Sequence, residues 1–419
     1  MKRSVWLGAI GGVLGVCLLA LLIYQIPAVN QRLSWRIDAA LAYVGGILHP
    51  ADQMPIPLPL PTLATLISPT PSATSTPTAT TTPTVLPGTP TATPVPTATP
   101  LPPVVTLVPP KWEKQDWNNC GPATLALNLR YWGWDGDQYT IAARIKPERA
   151  DRNVNVEELA YYVRNYAGWL NLQYRVGGDI NLLKAFIAQG FPVMIESGVK
   201  LDTTYWPNDD QWAAHYVLLT GYDDTEQVFD AHDTYFGPNQ RIAYAELVKN
   251  WQAFNYVYLI LYPVTDEARI QTLLGAQWDE VMNREYALAV SQRETETDPQ
   301  NAFAWFNLGS NLAYFSRYRE AADAYDEARR IGLPQRMYRY QFGPFIAYFH
   351  SGRNDELLSL TEYALQRTPN AEEALLWNGW GLYRDGKTWQ AAQRFQAALQ
   401  ANRFYADAQY ALDFVNENP

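Results

Sequence analysis

The longest apolar stretch of the chain lies near its amino terminus. No charged residue occurs from Ser4 to Gln31, and the stretch VWLGAIGGVLGVCLLALLIYQI is almost entirely apolar. A helix of about 20 such residues crosses the hydrocarbon core of a bilayer. The pattern therefore predicts a transmembrane signal anchor over residues 4–28, with residues 1–3 in the cytoplasm. A cleaved signal peptide is the alternative interpretation of the same stretch.

Two further segments precede the globular part of the chain. Residues 29–54 form a juxtamembrane segment, in which residues 34–50 have the pattern of a short amphipathic helix. Residues 55–110 carry no charge and are rich in Pro and Thr, so they cannot bury a core and are expected to form a disordered, extended linker. Such a spacer suits domains held away from the outer membrane face, which places the C-terminal domains on the extracytoplasmic side.

After residue 111 the apolar positions follow the periods of regular secondary structure. A period of about 3.6 residues predicts helices, and short apolar runs rich in β-branched and aromatic residues predict strands. Helices are predicted at 123–131, 155–167 and 179–190, and strands at 191–197, 215–223, 227–233 and 256–263. Asn155, with Glu158 three residues later, gives the second of these helices a capping box. Helices followed by antiparallel strands predict an α+β domain over residues 111–264.

From residue 265 to residue 419 the apolar patterns are helical, and a longer period appears. Repeats begin near residues 268, 302, 338 and 372, which are 34, 36 and 34 residues apart. The second repeat pairs a small residue at Gly309 with a large one at Tyr325, and the fourth pairs Gly379 with Phe395. This region resembles tetratricopeptide-repeat proteins, which implies an all-α superhelix with a concave groove for peptides. A generic helical bundle is the alternative.

Charge and cysteine content narrow the functional classes. The chain has a net charge of −10 and no basic stripe, which argues against a nucleic-acid partner. It contains no glycine-rich phosphate-binding loop. Of its two cysteines, Cys17 lies in the apolar stretch, so a disulfide with Cys120 is not expected.

Cys120 lies at the start of the first predicted helix, in the sequence QDWNNCGPAT. Pro122 suits the first turn of a helix, and Gly121 lets a substrate approach the backbone. The free N–H groups and the dipole at a helix N-terminus favour a thiolate. Cys120 therefore has the setting of a cysteine nucleophile.

A cysteine nucleophile needs an imidazole as its base, and the chain has four histidines. His49 precedes the linker and His350 lies within the repeats, which leaves two candidates in the α+β domain. His215 opens a strongly apolar strand, and His232 lies at the end of the following strand.

A third group is expected to orient the imidazole. Asp230, His232 and Asp233 are candidates for this role. The side-chain amide of Gln115, shortly before the cysteine, could donate to an oxyanion. A zinc site that combines His215 and His232 with one of the two aspartates is a weaker alternative, because the spacing is not that of a common zinc site.

The order of these residues resembles that of the papain-like cysteine peptidases related to the bacteriocin leader (double-glycine) processing peptidases. The shared pattern is Gln115, Cys120 followed by Gly-Pro, His215 on a strand and Asp233 in a turn, and it extends over residues 112–262. The resemblance implies a papain-like fold with Cys120 as the nucleophile, His215 as the base and Asp233 as the orienting group. It also implies that Gln115 donates to the oxyanion.

Two positions depart from the pattern of that family. Thr234 stands where proline is usual, and Ala214 precedes the histidine where glycine is common. The first departure keeps Asp230 as an alternative to Asp233 for the third member of the triad.

These patterns together predict a membrane-anchored, extracytoplasmic thiol peptidase with a Cys-His-Asp triad and with no metal or cofactor. The expected partners are a protein or peptide substrate, a protein bound by the repeats, and the cytoplasmic membrane, which the chain would cross once. Two alternatives remain open. One is a catalytically inactive papain-like domain in a repeat-based binding or assembly scaffold, and the other is a thiol amidase or acyltransferase for a non-peptide substrate.

Overall fold

The computed structural model describes residues 15, 18–19, 22–24, 27–50, 52–58, 100–148, 151 and 153–418. The elements described below lie in one compact unit, formed by the described parts of Met1–Pro57 and Pro102–Pro419. Most of the predicted transmembrane segment, residues 4–28, and most of the predicted linker, residues 55–110, lie outside the described residues.

The first helix whose bounds are described is α1, Pro27–Leu48, where the sequence predicted a shorter helix at 34–50. Among the residues that the structure describes, no helix is both long and apolar enough to cross a membrane.

An antiparallel sheet forms the centre of the next domain. Its strands are β1 (Val104–Thr106), β2 (Leu170–Arg175), β3 (Val193–Lys200), β4 (Trp212–Asp223), β5 (Val228–Asp233), β6 (Gly237–Ala243) and β7 (Tyr258–Pro263). They lie in the order β2-β7-β3-β4-β5-β6, with β1 beside the end of β4, and each of these pairings is antiparallel.

Helices cover both faces of this sheet. They are α2 (Cys120–Tyr131), α3 (Gln138–Ile145), α4 (Val156–Tyr166), α5 (Ile180–Ala188) and α6 (Tyr244–Trp251). Side chains alternate along a strand, so Met194 and Leu218 pack with α2, α3 and α4, whereas Val193 and Val217 pack with α5 and α6. Because both faces of the sheet are buried, apolar residues in β3 and β4 largely follow one another instead of alternating with polar residues.

The predicted α+β class with an antiparallel sheet is confirmed. The predicted capping box at the start of α4 is confirmed as well. The Asn155 side chain accepts a hydrogen bond from the Glu158 amide at 3.0 Å, and the Glu158 carboxylate accepts one from the Asn155 amide at 2.9 Å. These two bonds satisfy donors that the first turn of a helix leaves unpaired.

Three strands of the sheet, β1, β2 and β6, were not predicted. Strand β2 lies between α4 and α5, so the helices do not all precede the sheet. Its residues Leu170 and Leu172 alternate with polar neighbours, which is the pattern of a half-buried strand. Strand β1 lies within the predicted linker, where Val104–Thr106 pairs with Gly221–Asp223. Its β-branched residues favour a strand, a weak signal among so many prolines.

The residues after the sheet form an all-helical region, as predicted. Its helices are α7 (Glu267–Leu274), α8 (Glu280–Thr297), α9 (Ala302–Tyr314), α10 (Tyr318–Ile331), α11 (Gly343–His350), α12 (Asn354–Arg367), α13 (Glu372–Arg384), α14 (Thr388–Ala401) and α15 (Ala406–Glu417). A Cβ at Gly309 would overlap the ring of Tyr325, and one at Gly379 would overlap Phe395. These close approaches explain why glycine recurs at one position of the second and fourth repeats.

The helical region packs directly on the α+β domain. The amide of Asn255 donates to Asn311 of α9 at 2.8 Å, and both side chains are buried. Trp212, the first residue of β4, stacks against Phe254 and lies against Phe303 of α9. The strand that carries His215 therefore begins at the contact between the two parts.

Candidate active site

Cys120 occupies the first position of α2. Asn118, two residues earlier, has a φ of +50° and turns the chain into the helix. Asn119 is the N-cap residue, but its side chain makes no capping hydrogen bond. The first N–H groups of a helix have no partner within the helix, and the half-buried, free thiol of Cys120 belongs to this first turn.

His215 and Asp233 lie on neighbouring strands, β4 and β5. The register pairs Val217 with Asp233, which places the aspartate close to the histidine two residues away. The Nε2 atom of His215 lies 2.8 Å from Oδ1 of Asp233, and both side chains are buried. Cys120 lies close enough to His215 to contribute to raising its pKa. Since Nε2 is occupied by the aspartate, Nδ1 is the ring nitrogen left for exchange of a proton with the thiol.

Backbone groups hold the Asp233 carboxylate in place. Its Oδ1 atom also accepts hydrogen bonds from the amides of Tyr235 at 2.7 Å and Phe236 at 2.8 Å. The rings of the same two residues lie edge-on to the imidazole of His215, each with a centroid separation of 6.3 Å. One turn thus both fixes the carboxylate and shields the imidazole from water.

The charge of Asp233 determines the protonation of His215. Burial disfavours the charged imidazole, but the negative charge and hydrogen bond of Asp233, with a smaller contribution from Cys120, raise the pKa of His215 to about 10. Burial acts to raise the pKa of Asp233, yet the charge of His215 and three hydrogen bonds hold it below its usual value. At neutral pH this pair is therefore an imidazolium beside a carboxylate. An imidazolium next to a thiol favours the thiolate.

Gln115 is held by the residue that follows Asp233. Its backbone amide donates to the carbonyl of Thr234 at 2.9 Å, and its side-chain oxygen accepts a hydrogen bond from the Thr234 hydroxyl, also at 2.9 Å. With the amide oxygen occupied, the NH₂ group remains as the donor. The departure from proline at position 234 thus supplies the hydroxyl that orients Gln115.

Gln138 fixes the segment that leads to Cys120. It is buried at the start of α3, and its side-chain oxygen accepts hydrogen bonds from the Asp116 amide at 2.7 Å and from Asn119 at 2.8 Å. Its NH₂ group donates to Glu113 at 3.0 Å and to the carbonyl of Lys114 at 2.8 Å. One side chain therefore holds four residues on both sides of Gln115.

Glu196 is a buried acid beside the nucleophile that the sequence analysis did not single out. It lies on β3 directly opposite Tyr216 of β4. Burial, followed by the negative charge of Cys120, raises the pKa of Glu196 well above its usual range. A protonated carboxyl adds no second negative charge next to a thiolate. An acidic residue within an apolar strand is the signal that could have revealed it.

The structure thus brings Cys120 near the hydrogen-bonded pair of His215 and Asp233, and it bonds Gln115 to Thr234, the residue after Asp233. Asp230, the alternative third member, lies 3.5 Å from Nε of Arg241 instead. His232 is buried on the same strand. Within the described ranges, no three His, Cys, Asp or Glu side chains are grouped as metal ligands.

Comparison with known proteins found one family model that matches the part of the chain with this site. Residues 106–259 match the model of the Peptidase C39 like family. The chain contains a peptidase C39-like domain. The predicted resemblance to the C39-type peptidases is confirmed for this domain, and the region after it is all-helical as predicted. No significant match was found among curated proteins.

Three solved structures are similar to parts of this chain. A double glycine motif protease from an AMS/PCAT transporter, in complex with the leader peptide, is 18% identical with a TM-score of 0.28, and the match covers 38% of this chain and 95% of that one. Xylellain, a cysteine protease from Xylella fastidiosa, is 14% identical with a TM-score of 0.30, covering 39% and 87%. YrrB, a TPR protein with an unusual peptide-binding site, is 22% identical with a TM-score of 0.29, covering 36% and 74%.

Proposed function

We propose that this chain is a membrane-anchored thiol peptidase that hydrolyses peptide bonds on the extracytoplasmic side of the cytoplasmic membrane. The observation that carries the catalytic part is the hydrogen-bonded pair of His215 and Asp233 close to Cys120 at a helix start, inside a C39-like domain. The membrane anchor rests on the apolar residues 4–28, and the outer location rests on the Pro/Thr-rich linker that follows.

In the first half of the reaction the Cys120 thiolate attacks the carbonyl carbon of the scissile peptide bond. The side-chain NH₂ of Gln115 and the N–H groups at the start of α2 donate to the oxyanion that forms. His215 gives its Nδ1 proton to the leaving amine, the C–N bond breaks, and the acyl group stays on sulfur as a thioester.

In the second half a water molecule replaces the amine. His215, now neutral, takes a proton from the water as its oxygen attacks the thioester carbon. The C–S bond breaks, the carboxylic acid leaves, and the thiolate and imidazolium are restored. Asp233 keeps Nε2 hydrogen-bonded throughout, so Nδ1 faces the reacting atoms in both steps.

The helical repeats are proposed to recruit protein substrates or partners. Helix pairs of the tetratricopeptide type form surfaces on which extended segments of other proteins dock. Held on one chain with the peptidase domain, such a surface raises the local concentration of a bound substrate near Cys120.

Cleavage of a peptide library by the 419-residue chain in detergent tests the reaction. We expect cleavage by the wild-type protein and at least a ~10³-fold loss with Cys120→Ala, because no other group forms the thioester. Cys17→Ala, which removes the only other thiol, is the matched control and should cleave as the wild type does. An untouched library, together with hydrolysis of small amides or thioesters, would contradict the peptidase function and support an amidase.

The orientation of Gln115 yields a second prediction. Thr234→Val keeps the shape of the side chain but removes the hydroxyl that bonds the Gln115 oxygen. Such a bond is worth about 0.5–1.5 kcal/mol, so kcat should fall roughly two- to tenfold with little change in KM. Steady-state kinetics checks this, and Thr234→Ser, which keeps the hydroxyl, should retain wild-type kcat. Equal loss in both variants would show that the methyl group, not the hydroxyl, matters.

The buried Gln138 yields a third prediction. Gln138→Ala frees the segment around Gln115 and Cys120, and misplacing reacting groups is costly, so kcat/KM should fall at least about tenfold. The control is Asn378→Ala, which removes a buried amide that bonds Thr361 in the repeats at 2.9 Å. Both variants should lose similar thermal stability, as measured by melting temperature. A comparable loss of activity in the control would contradict a local role for Gln138.

A further inference from the structure

The residues between β3 and β4, 201–211, contact both sides of the catalytic site. We call them the bridging segment. The Tyr205 ring lies against Trp117, with centroids 5.6 Å apart, and Trp117 stands between Gln115 and Cys120. At the other side, the Tyr235 hydroxyl donates to the carboxylate of Asp202, and Tyr235 is one of the two residues against the His215 ring. The segment therefore contacts a residue beside the nucleophile and a residue beside the base.

The bridging segment is fixed from the helical region by one arginine. Arg336, between α10 and α11, forms two parallel hydrogen bonds of 2.6 Å with the carboxylate of Asp209. The two side chains are 1% and 0% exposed. Paired bonds from a guanidinium to a carboxylate fix orientation as well as distance, which a lysine cannot do.

Further contacts of Arg336 and its neighbour reinforce this link. The guanidinium stacks over the ring of Trp206 at 4.0 Å and donates to the carbonyl of Trp212 at 2.9 Å. The neighbouring Gln335 accepts a hydrogen bond from the Trp206 indole at 2.8 Å and donates through its backbone amide to Asp210 at 2.7 Å.

Asp209 passes this constraint toward the cleft. Besides Arg336, its carboxylate accepts hydrogen bonds from the amides of Tyr205 and Gln211, each at 2.9 Å. The segment contains no helix or strand that would hold it by itself. If the guanidinium were absent, a buried carboxylate would lose its charge partner, a change that costs more than the loss of an ordinary hydrogen bond. The position of Tyr205 against Trp117 therefore depends on Arg336.

We infer that Arg336 is a positioning residue of the peptidase site: from the repeat region it sets the bridging segment as one wall of the substrate cleft. The consequence for catalysis rests on the proposed function, whereas the placement of the segment does not. The repeats would then have a second role besides recruitment, because the cleft is complete only when they are docked.

Replacement of Arg336 by methionine in the 419-residue chain tests this inference, with Arg329→Met as the matched control. Arg329 is equally buried in the repeats and bonds Glu356 and Tyr348, but it forms no hydrogen bond or ion pair with the bridging segment. Arg336→Met should raise KM for peptides at least about tenfold, while alkylation of Cys120 by iodoacetamide, which needs only the thiolate, stays within about twofold of wild type. Arg329→Met should leave both values near wild type.

Two further measurements complete the test. Asp209→Asn should resemble Arg336→Met, and the double variant should be no worse than either, because both remove one shared interaction. Hydrogen exchange should rise at least about tenfold in residues 201–211 with Arg336→Met, but not with Arg329→Met. Unchanged exchange in this segment, or equal KM effects from the two arginine variants, would overturn the inference. If the wild-type chain cleaved no peptide, the proposed function would fail while the exchange result still decided the role of Arg336.

Discussion

Replacing His215 by alanine is expected to abolish peptide hydrolysis and to slow alkylation of Cys120 by iodoacetamide on the order of tenfold at pH 7. Loss of the base and acid of a triad costs at least about 10³-fold in kcat/KM. The effect on alkylation is smaller because two changes oppose each other. Without an imidazolium an ordinary thiol is only a few per cent thiolate at pH 7, but the less acidic thiol gives a more nucleophilic thiolate. The loss of kcat/KM and the slower alkylation are both checked by measuring peptide cleavage and the rate of alkylation on the same preparation.

His232→Ala is the matched control for this experiment. His232 is also buried in the sheet, so its replacement removes a similar volume, but the structure gives it no bond to Cys120. We expect both rates to stay within about twofold of wild type at 25 °C. If His215→Ala left the rate of alkylation unchanged, then His215 would not be the group that maintains the thiolate, and the proposed triad would be wrong.

The local parts of this site could be predicted from the sequence. Pro122 and the apolar period after it mark a helix start, and Cys120 lies there in the structure. The Asn155–Glu158 capping box is a pattern within four residues, and it formed as predicted. The resemblance to the double-glycine peptidases rests on the order of Gln115, Cys120, His215 and Asp233 in the sequence. It could therefore be recognised without knowing how the strands of the sheet are arranged.

The supporting residues could not be predicted, because their partners are distant in the chain. Thr234 bonds Gln115 across 119 positions, and in the sequence it appeared only as a departure from proline. Arg336 bonds Asp209 across 127 positions and joins two domains. The hydrophobic period of the sequence does not show how these two domains pack together. Such pairings follow from strand register and from the packing of the helices on the sheet. Local propensity and hydrophobic period do not determine either of these.

The charge of Asp233 gives the last prediction, which concerns pH. In the wild-type chain His215 keeps its proton up to its raised pKa of about 10, so kcat/KM should decline only as pH approaches that value. Asp233→Asn retains an oxygen for the same hydrogen bonds but removes the negative charge, and burial alone then lowers the pKa of His215. The alkaline limb should move to lower pH, with kcat/KM at pH 8 reduced at least about tenfold and a smaller loss at pH 6. A pH profile of kcat/KM from 5 to 10 measures this.

Two other variants separate charge from orientation. Asp233→Ala also removes the acceptor for the amides of Tyr235 and Phe236, so it should lose further activity at every pH, including pH 6. Asp230→Asn changes a carboxylate on the same strand that lies near Arg241, and its profile should coincide with that of the wild type. An alkaline limb that moved with Asp230→Asn and not with Asp233→Asn would assign the third position of the triad to Asp230. If the alkaline limb moved neither with Asp230→Asn nor with Asp233→Asn, then neither carboxylate would hold the proton on His215. A charge partner must shift the pKa of the group that it stabilises.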